Sequence, residues 1–444
     1  PSGSALRVAL GNSHGAAVTA GGALYTWGGN EFGECGRAEA ESVPSGIVMF
    51  PVAVRVVSVS CGFFHTAVAA DDGSVWTFGW GRWGQLGHGE SSAQPVRVDQ
   101  LRERHISSVA CGHHSTLALE RDGQVWAWGW WRGAPPASHD DHREQISTAA
   151  DRLALPAPAA AVQAGGTHAA AVLIDGSLWT WGSAAYGQLG LGDTVDRPAP
   201  TRVPSLHSVR GAGCGEEHTV AIGAVGDSAA ELIWTWGRCE YGRGHACHLA
   251  PQLLPLPAPS GRLPISIACG FHHSACLLSS GEIICWSAHA LGGGGQPTLQ
   301  LVAPPTGNSF TQLACGGSSS AAIAIARASD GGYYGDARGV TLLGRSGSSS
   351  RSHASAFAAA TIQEDGVAPF AAASTLSRTP LRHHLEPPPP PVYTGSSLPT
   401  GHAPPPPPTS AVRWAPDVPT DPMMMRRHAP STATAGGGDE FTSS

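Results

Sequence analysis

The chain of 444 residues contains no lysine, because all 26 of its Lys and Arg residues are arginines. A phosphate-binding P-loop needs a lysine next to its glycines, and Schiff-base catalysis needs a lysine amine, so both are excluded. The HExxH motif of zinc proteases is absent as well. We therefore expect no catalytic residues, no metal and no cofactor, and we predict that the chain is not an enzyme.

The sequence also lacks long apolar runs and an excess of positive charge. No apolar run reaches about 18 residues, so we predict no transmembrane helix and no membrane partner. The net charge is −7, and the acidic excess lies in residues 1–330, which argues against direct binding to nucleic acid. No signal peptide is visible, and the ten cysteines lack paired spacing. These features favour an intracellular protein, cytoplasmic or nuclear.

A short pattern occurs seven times: a small residue, a glycine (the anchor glycine), two variable residues and a histidine (the anchor histidine). Successive anchor glycines are 46 to 55 residues apart. The anchor glycines are Gly11, Gly62, Gly112, Gly165, Gly215, Gly270 and Gly316. The anchor histidines are His14, His65, His168, His218 and His273, and serine takes their place at Ser115 and Ser319.

An aromatic residue follows most anchor glycines at a fixed distance. Trp27, Phe78, Trp128, Trp181 and Trp286 each stand 16 residues after an anchor glycine, and a glycine follows the first four. Between these landmarks lie two apolar segments and a turn, as in TAVAADDGSVWTFG, which is typical of a β-hairpin. Repeats of about 50 residues can hold four short strands each, so the sequence predicts an all-β fold, a β-propeller.

The repeats resemble those of the regulator of chromosome condensation family (RCC1-type repeats), which pair a CGxxHT hairpin with a WGxNxxGQLGxG loop. Matching loops are WGGNEFGECG (27–36), FGWGRWGQLGHG (78–89) and WGSAAYGQLGLG (181–192). The resemblance covers roughly residues 5–326 and implies a seven-bladed β-propeller. The third repeat has lost the QLG loop. The seventh lacks the tryptophan–glycine hairpin, so we predict a degenerate last blade whose outer strands are missing, degenerate or supplied from upstream.

We interpret the anchor histidines and the nearby cysteines as structural. One histidine per repeat distributes these side chains around a ring, so they cannot converge on one metal ion. Leu10 and Ala164 fill the position that cysteine holds in five repeats, so this position is interpreted as a small hydrophobic one. The segment RCEYGRGHACH (238–248) has residue types that bind zinc but no CxxC pair, and we predict no metal there.

Four tryptophans are not explained by the repeat: Trp80, Trp83, Trp130 and Trp131. Exposed, they would form a protein-binding patch, whereas packed between blades they would be structural. We favour the patch.

A plant ultraviolet-B photoreceptor belongs to the same family, and its light-sensing tryptophans lie directly after the anchor glycine. In this chain those positions hold other residues, so the resemblance does not extend to light sensing. They are Asn12, Phe63, His113, Gly166, Glu216, Phe271 and Gly317.

The composition changes near residue 327, so we predict a propeller over 1–326 and a low-complexity tail, rich in Pro, Ala and Ser, over 327–444. Such a segment cannot bury a core and is expected to be disordered or in polyproline II conformation. Pro390, Pro391 and Tyr393 belong to a PPVY sequence that resembles the PPxY ligand of WW domains, and proline runs also suit SH3 domains. Short proline motifs also arise easily by chance in a proline-rich sequence, and we favour chance as the explanation.

The sequence leads to three hypotheses of function. The first is a protein–protein interaction scaffold without a catalytic site, because the repeats contain no catalytic constellation. The family resemblance implies the second, a guanine-nucleotide exchange factor for a Ran-like small GTPase. The third is the recognition domain of a larger protein such as a ubiquitin ligase.

Overall fold

A computed structural model of the chain describes residues 5–38, 42–131, 147–224, 232–238, 247–254, 262–287, 299–304 and 308–317, and three further strands between residues 322 and 362. Within these ranges the chain forms seven four-stranded sheets and one 3-10 turn, Asp99–Leu101. No helix in the described part is long and apolar enough to span a membrane.

In each sheet the four strands pair antiparallel in the order in which they follow along the chain. Sheet 1 contains β1 (Ala5–Leu10), β2 (His14–Thr19), β3 (Leu24–Gly29) and β4 (Ser42–Ile47). Sheet 2 contains β5 (Val56–Cys61), β6 (His65–Ala70), β7 (Val75–Gly79) and β8 (Ser92–Arg97). Sheet 3 contains β9 (Ile106–Cys111), β10 (Ser115–Glu120), β11 (Val125–Gly129) and β12 (Ser147–Arg152).

The other four sheets repeat this arrangement. Sheet 4 contains β13 (Ala159–Ala164), β14 (His168–Leu173), β15 (Leu178–Gly182) and β16 (Arg197–Arg202). Sheet 5 contains β17 (His207–Cys214), β18 (His218–Ala224), β19 (Leu232–Arg238) and β20 (Cys247–Leu254). Sheet 6 contains β21 (Pro264–Cys269), β22 (His273–Leu278), β23 (Ile283–Ser287) and β24 (Gln300–Val302). Sheet 7 contains β25 (Asn308–Cys315), β26 (Ala322–Ala328), β27 (Val340–Arg345) and β28 (Phe357–Ile362).

The first strand of each sheet is its inner strand, and the inner strands form a closed ring. Contacts run from β1 to β5 and on through β9, β13, β17, β21 and β25 back to β1. A ring of four-stranded antiparallel sheets is a β-propeller, so the predicted all-β propeller fold is confirmed. In sheet 7 only side chains of the inner strand are described, and the count of seven complete blades with a degenerate last one stays a prediction.

The last two strands of sheet 7 come from residues beyond 326, within the range that the sequence analysis assigned to the tail. They are β27 and β28, which pair along their whole length. The outer strands of this sheet are thus supplied from downstream residues. Residues 363–444, with both proline runs and the PPVY sequence, lie outside the described residues.

The core lies between neighbouring sheets, where the repeated aromatic residue packs. Phe78, Trp128 and Trp181 are completely buried, and Trp236 is 1% exposed. Trp128 of sheet 3, for example, belongs to a cluster that includes Val75 of sheet 2. Burying a large aromatic side chain at these junctions supplies hydrophobic stabilisation of about 2 to 3 kcal/mol per ring.

The glycine after the aromatic residue is required by its backbone conformation. Gly79 has a φ of +108°, and a Cβ there would lie 2.4 Å from the carbonyl oxygen of Phe64. The pairing register shifts between Thr77 and Gly79, which marks a bulge. The two ends of the sheets carry different connections. One end carries the anchor turns, which join the first and second strands of each sheet, and the loops after each third strand. This end is called the anchor face here.

Candidate functional site

In the described residues, anchor histidines link neighbouring sheets at four junctions through a hydroxyl group. His65 Nε2 in sheet 2 lies 2.9 Å from Thr116 Oγ1 in sheet 3. Thr116 Oγ1 donates its only proton to the carbonyl oxygen of Gln85, 2.8 Å away in the anchor-face loop of sheet 2. The imidazole must therefore donate its Nε2 proton to the threonine. We call this contact between an anchor imidazole and a hydroxyl group of the next sheet a histidine link, and it recurs as His14 with Thr66, His168 with Thr219, and His218 with Ser274.

The anchor glycine is needed because the imidazole ring lies against it. A Cβ at Gly62 would lie 2.3 Å from His65 Cε1 and 2.6 Å from the carbonyl oxygen of Gly112 in the next sheet. Gly11, Gly215 and Gly270 are approached in the same way by the histidines of their own sheets. These contacts give the anchor glycine and the anchor histidine a structural role.

Burial keeps the linked histidines uncharged. It lowers the pKa of His14 to about 4 and the pKa values of His65, His168 and His218 to about 3, because a charged ring would lose its hydration. Among the described residues, no group of three or more His, Cys, Asp or Glu side chains could hold a metal ion. Cys239 and His245 of the segment 238–248 lie outside the described residues.

The junction between sheets 3 and 4 has no histidine link. Ser115 takes the place of the histidine in sheet 3, and Ala169 takes the place of the threonine in sheet 4. The sequence repeats this pairing between the seventh and first repeats, where Ser319 is matched by Gly15. Histidine and hydroxyl are thus present together or absent together around the ring.

The same junction lacks a second hydrogen bond. Trp128 Nε1 donates to the carbonyl oxygen of Gln85 (2.8 Å), and Trp236 Nε1 donates to that of Gln188 (2.9 Å). Both glutamines belong to QLG loops, and the third repeat has no such loop. Trp181, the equivalent residue of sheet 4, is completely buried, and its Nε1 has no hydrogen-bond partner among the described residues.

A cavity of about 60 Å³ lies at the centre of the ring, where residues from all seven inner strands line it. Five cysteine side chains and the anchor glycines form most of its wall. Burial raises the pKa of Cys111 and Cys269 to about 12 and holds the pKa of Cys61, Cys214 and Cys315 well above the ordinary value, so these thiols are protonated. This agrees with their interpretation as small hydrophobic residues.

Aromatic rings from sheets 1, 2, 3 and 6 meet on the anchor face. At the mouth of the cavity, the centroid of Phe271 lies 5.5 Å from that of Phe63 and 4.5 Å from that of His113. Further rings continue this contact outward, each within 6.1 Å of the next. We call the set the aromatic surface; it consists of Phe32, Phe63, Phe64, Trp80, Trp83, His113, His114, Trp130 and Phe271.

The aromatic surface has an accessible layer and a buried layer. Phe32, Phe63, Phe64, Trp130 and Phe271 are half-buried and can be reached from solvent. Trp80, Trp83, His113 and His114 are between 3% and 7% exposed and support that layer. A partner on this face would contact the first group directly and depend on the second for its shape.

The structure corrects the prediction of a patch of four exposed tryptophans. Trp80 and Trp83 are buried below the aromatic surface, and Trp131 is packed in the core with Leu153 and Trp181. Only Trp130 of the four is half-buried. The four were selected because they fell outside the repeat, but the loops that carry them fold back onto the anchor turns.

Charge is unevenly distributed between the two ends of the propeller. In the described residues the anchor face has more carboxyl groups than arginines, whereas the opposite end has both in near balance. The carboxyl groups of the anchor face are Glu31, Glu34, Glu90, Asp193, Asp196, Glu216 and Glu217. Its arginines are Arg37, Arg82, Arg197 and Arg238.

Two of these carboxylates are paired close to the cavity mouth. Glu216 Oε2 lies 3.3 Å from His272 Nδ1, and Glu217 Oε2 lies 2.5 Å from an amino nitrogen of Arg238. The guanidinium of Arg238 also lies 4.5 Å from the ring centroid of Tyr186. Glu217 and Arg238 therefore form a buried pair, while Glu216 lies nearer the surface.

Residues 11–15 read Gly-Asn-Ser-His-Gly and match the GxSxG pattern of hydrolases, although we expected no catalytic residue. In those enzymes the serine lies on a sharp turn between a strand and a helix. Here Ser13 lies in an anchor turn between two strands of sheet 1, and His14 donates to Thr66 in sheet 2. The context of a nucleophile elbow is missing, so the match indicates a repeat unit.

Comparison with known proteins agrees with this architecture. The model of the RCC1-like domain matches residues 1–322, so the chain belongs to the family of RCC1-like domain proteins. It is 31% identical to the ultraviolet-B receptor UVR8 of Arabidopsis thaliana over 329 residues, which cover 70% of this chain and 72% of that protein. It is 28% identical to the mitochondrial RCC1 domain-containing protein RUG3 of the same plant, covering 60% of this chain and 62% of that protein.

Other matches are more partial or rest on fold alone. The chain is 27% identical to the human E3 ubiquitin-protein ligase HERC2 over 69% of its own length but only 5% of HERC2. The structure of human WBSCR16 is similar with a TM-score of 0.58 and 23% identity, covering 70% of this chain and 84% of that one. Prp20p from Saccharomyces cerevisiae has a TM-score of 0.56 and 19% identity, with coverages of 70% and 80%.

Sequence reasoning missed the central part of the aromatic surface. Phe63, His113 and Phe271 were considered only as positions where tryptophan is absent, yet they converge at the cavity mouth. The signal was available, because all three directly follow an anchor glycine and such residues meet around the axis of a propeller.

Proposed function

We propose that the chain is a protein–protein interaction scaffold that binds its partner on the anchor face and has no catalytic site. The observation that carries the proposal is the aromatic surface, which spans turns and loops of four sheets. Aromatic clusters that are partly accessible to solvent are typical of binding surfaces, where rings supply large contact areas. The other recurring residues of the repeat have structural contacts: the histidines link neighbouring sheets, and the cysteines line the central cavity.

The scaffold proposal is tested by comparing two substitutions at opposite ends of the propeller. Phe64→Asp places a charge in the aromatic surface, and Ile174→Asp places one at an exposed residue next to a hairpin turn. Proteins retained from host extract by the immobilised chain should be lost with Phe64→Asp and kept with Ile174→Asp. Equal retention by both folded variants would refute binding through the anchor face.

The likeness to Prp20p favours a second candidate, a guanine-nucleotide exchange factor. The structure of Prp20p was described together with its binding to Gsp1p and histones, and its fold is similar to that of this chain. The test is release of labelled GDP from a Ran-like GTPase of the host. A scaffold leaves the release rate unchanged, whereas an exchange factor accelerates it at substoichiometric concentration.

The relatives also support the third hypothesis, the recognition domain of a larger protein such as a ubiquitin ligase. HERC2 is a ubiquitin ligase, and this chain matches one twentieth of its length, so similar propellers occur as parts of much larger proteins.

We also propose an intracellular location, supported by nine free cysteines in the described residues, none of which forms a disulfide. For the proline-rich sequences of residues 387–408 we still favour chance, and binding to WW or SH3 domains is the alternative hypothesis.

A further inference from the structure

We propose that the partner of the anchor face presents a cationic side chain, an arginine in a basic segment, to the mouth of the central cavity. The inference rests on the proposed function, because it specifies the chemistry of the partner that docks on the same surface. The contacts would be made with the rings of Phe63 and Phe271 and with the carboxylate of Glu216.

The first argument is the combination of rings and carboxylates at the mouth. Phe63 and Phe271 are stacked, with an interplanar angle of 12°, and both are half-buried, so ring surface remains accessible. A guanidinium group over such a ring gains a cation–π attraction and stacks well because it is planar. Glu216 belongs to the anchor turn of sheet 5, which borders that of sheet 6 with Phe271, since the amide of Glu216 donates to the carbonyl oxygen of Phe271 (3.2 Å).

The second argument is a buried polar atom at the same place. His113 is 7% exposed, lines the cavity and touches both phenyl rings, yet its Nε2 has no hydrogen-bond partner among the described residues. Burial and the neighbouring imidazoles hold its pKa well below the ordinary value, so the ring is neutral and does not repel a cation. An arginine supplies several N–H donors, and a neutral imidazole nitrogen can accept one of them.

The third argument is the charge of the whole face. Among the described residues this face has seven carboxyl groups against four arginines, and two of these arginines, Arg197 and Arg238, are already paired with Asp193 and Glu217. Complementary charge increases the association rate and selects against acidic partners. The opposite end, where charges are balanced, offers no comparable preference.

The proposal is tested with fluorescent hexa-arginine, hexa-lysine and hexa-glutamate peptides and the full chain. We expect hexa-arginine to bind more tightly than hexa-lysine and hexa-glutamate not to bind. The double variant Phe63→Leu, Phe271→Leu keeps apolar area but removes the ring electrons, and Glu216→Gln removes one charge. Each should weaken hexa-arginine binding by about threefold to tenfold, which corresponds to the size of one exposed cation–π or charge contact.

Glu103→Gln is the matched control, because it changes the net charge equally at an exposed residue of the opposite end. It should alter the affinity less than twofold, and thermal melts establish that all variants are folded. Equal effects of Glu216→Gln and Glu103→Gln, or an unchanged affinity of the leucine variant, would overturn the inference. If host proteins are lost with Phe64→Asp but bind normally to Glu216→Gln and the leucine variant, the scaffold function stands and the cationic contact is refuted.

Discussion

Two neighbouring junctions of the propeller differ in their polar contacts: the junction between sheets 2 and 3, and the junction between sheets 3 and 4. Both bury a tryptophan completely between neighbouring sheets. The first adds a histidine link and an indole hydrogen bond to the carbonyl oxygen of Gln85. The second has Ser115 and Ala169 instead and an indole nitrogen without a partner in the described residues. The second junction keeps a backbone hydrogen bond from the amide of His113 to the carbonyl oxygen of Gly165, so a junction forms without the histidine link and the indole bond.

Acidification should weaken all linked junctions at once. We expect it to lower the free energy of unfolding more than any single substitution does. The unfolded chain takes up protons on histidine below pH 6.5, whereas the folded chain resists protonation of His14, His65, His168 and His218 until about pH 3 to 4. Stability is therefore greatest above pH 6.5 and falls as the pH drops. At pH 5 each of these histidines lowers the free energy of unfolding by up to about 2 kcal/mol. Urea unfolding midpoints at pH 7, 6 and 5 measure this, and a flat profile would contradict it.

Removing one histidine link should have the next largest effect. His65→Ala leaves a cavity and a buried hydroxyl of Thr116 with one partner fewer, and we expect a loss of about 2 to 4 kcal/mol in the free energy of unfolding. Ser115→Ala at the equivalent position of sheet 3 is the control and should cost less than about 1 kcal/mol. Urea unfolding at pH 7 gives both values. Equal losses would mean that the link contributes nothing beyond packing.

Substitution of the junction tryptophans by phenylalanine separates the indole hydrogen bond from the burial. Trp128→Phe removes a bond to Gln85, whereas Trp181→Phe removes a buried N–H group that has no partner in the described part of the chain. Both delete similar ring volume. We expect Trp128→Phe to cost about 1 to 3 kcal/mol more than Trp181→Phe. The comparison fails if Trp181→Phe is the more damaging of the two.

Restoring the link between sheets 3 and 4 should produce the smallest change. The double variant Ser115→His, Ala169→Thr recreates the residue pair of the other junctions, and each single variant leaves one partner alone. We expect a favourable coupling energy of about 0.5 to 1.5 kcal/mol in the double-mutant cycle. Additive effects of the two substitutions would mean that restoring the residue pair does not restore the link.

The repeat made the fold predictable, while the site depended on contacts across the ring. Gly62 and Phe78 recur at fixed spacing, and each needs its residue type for local reasons, so the pattern predicted strands, turns and a propeller. The link pattern was also visible in the sequence, since Ser115 and Ala169 change together. Contact between Phe63 and Phe271 joins sheets 2 and 6, so it follows from the closure of the ring and not from the spacing within one repeat.

The protonated thiols around the central cavity can report how often the closed ring opens. A thiol must lose its proton and meet the reagent before it can be alkylated, and burial of Cys61, Cys111, Cys214 and Cys315 prevents both steps while the ring is intact. The rate at which iodoacetamide labels these cysteines is therefore set by how often the sheets separate. Mass spectrometry of the labelled peptides would show which junction opens first in the native protein.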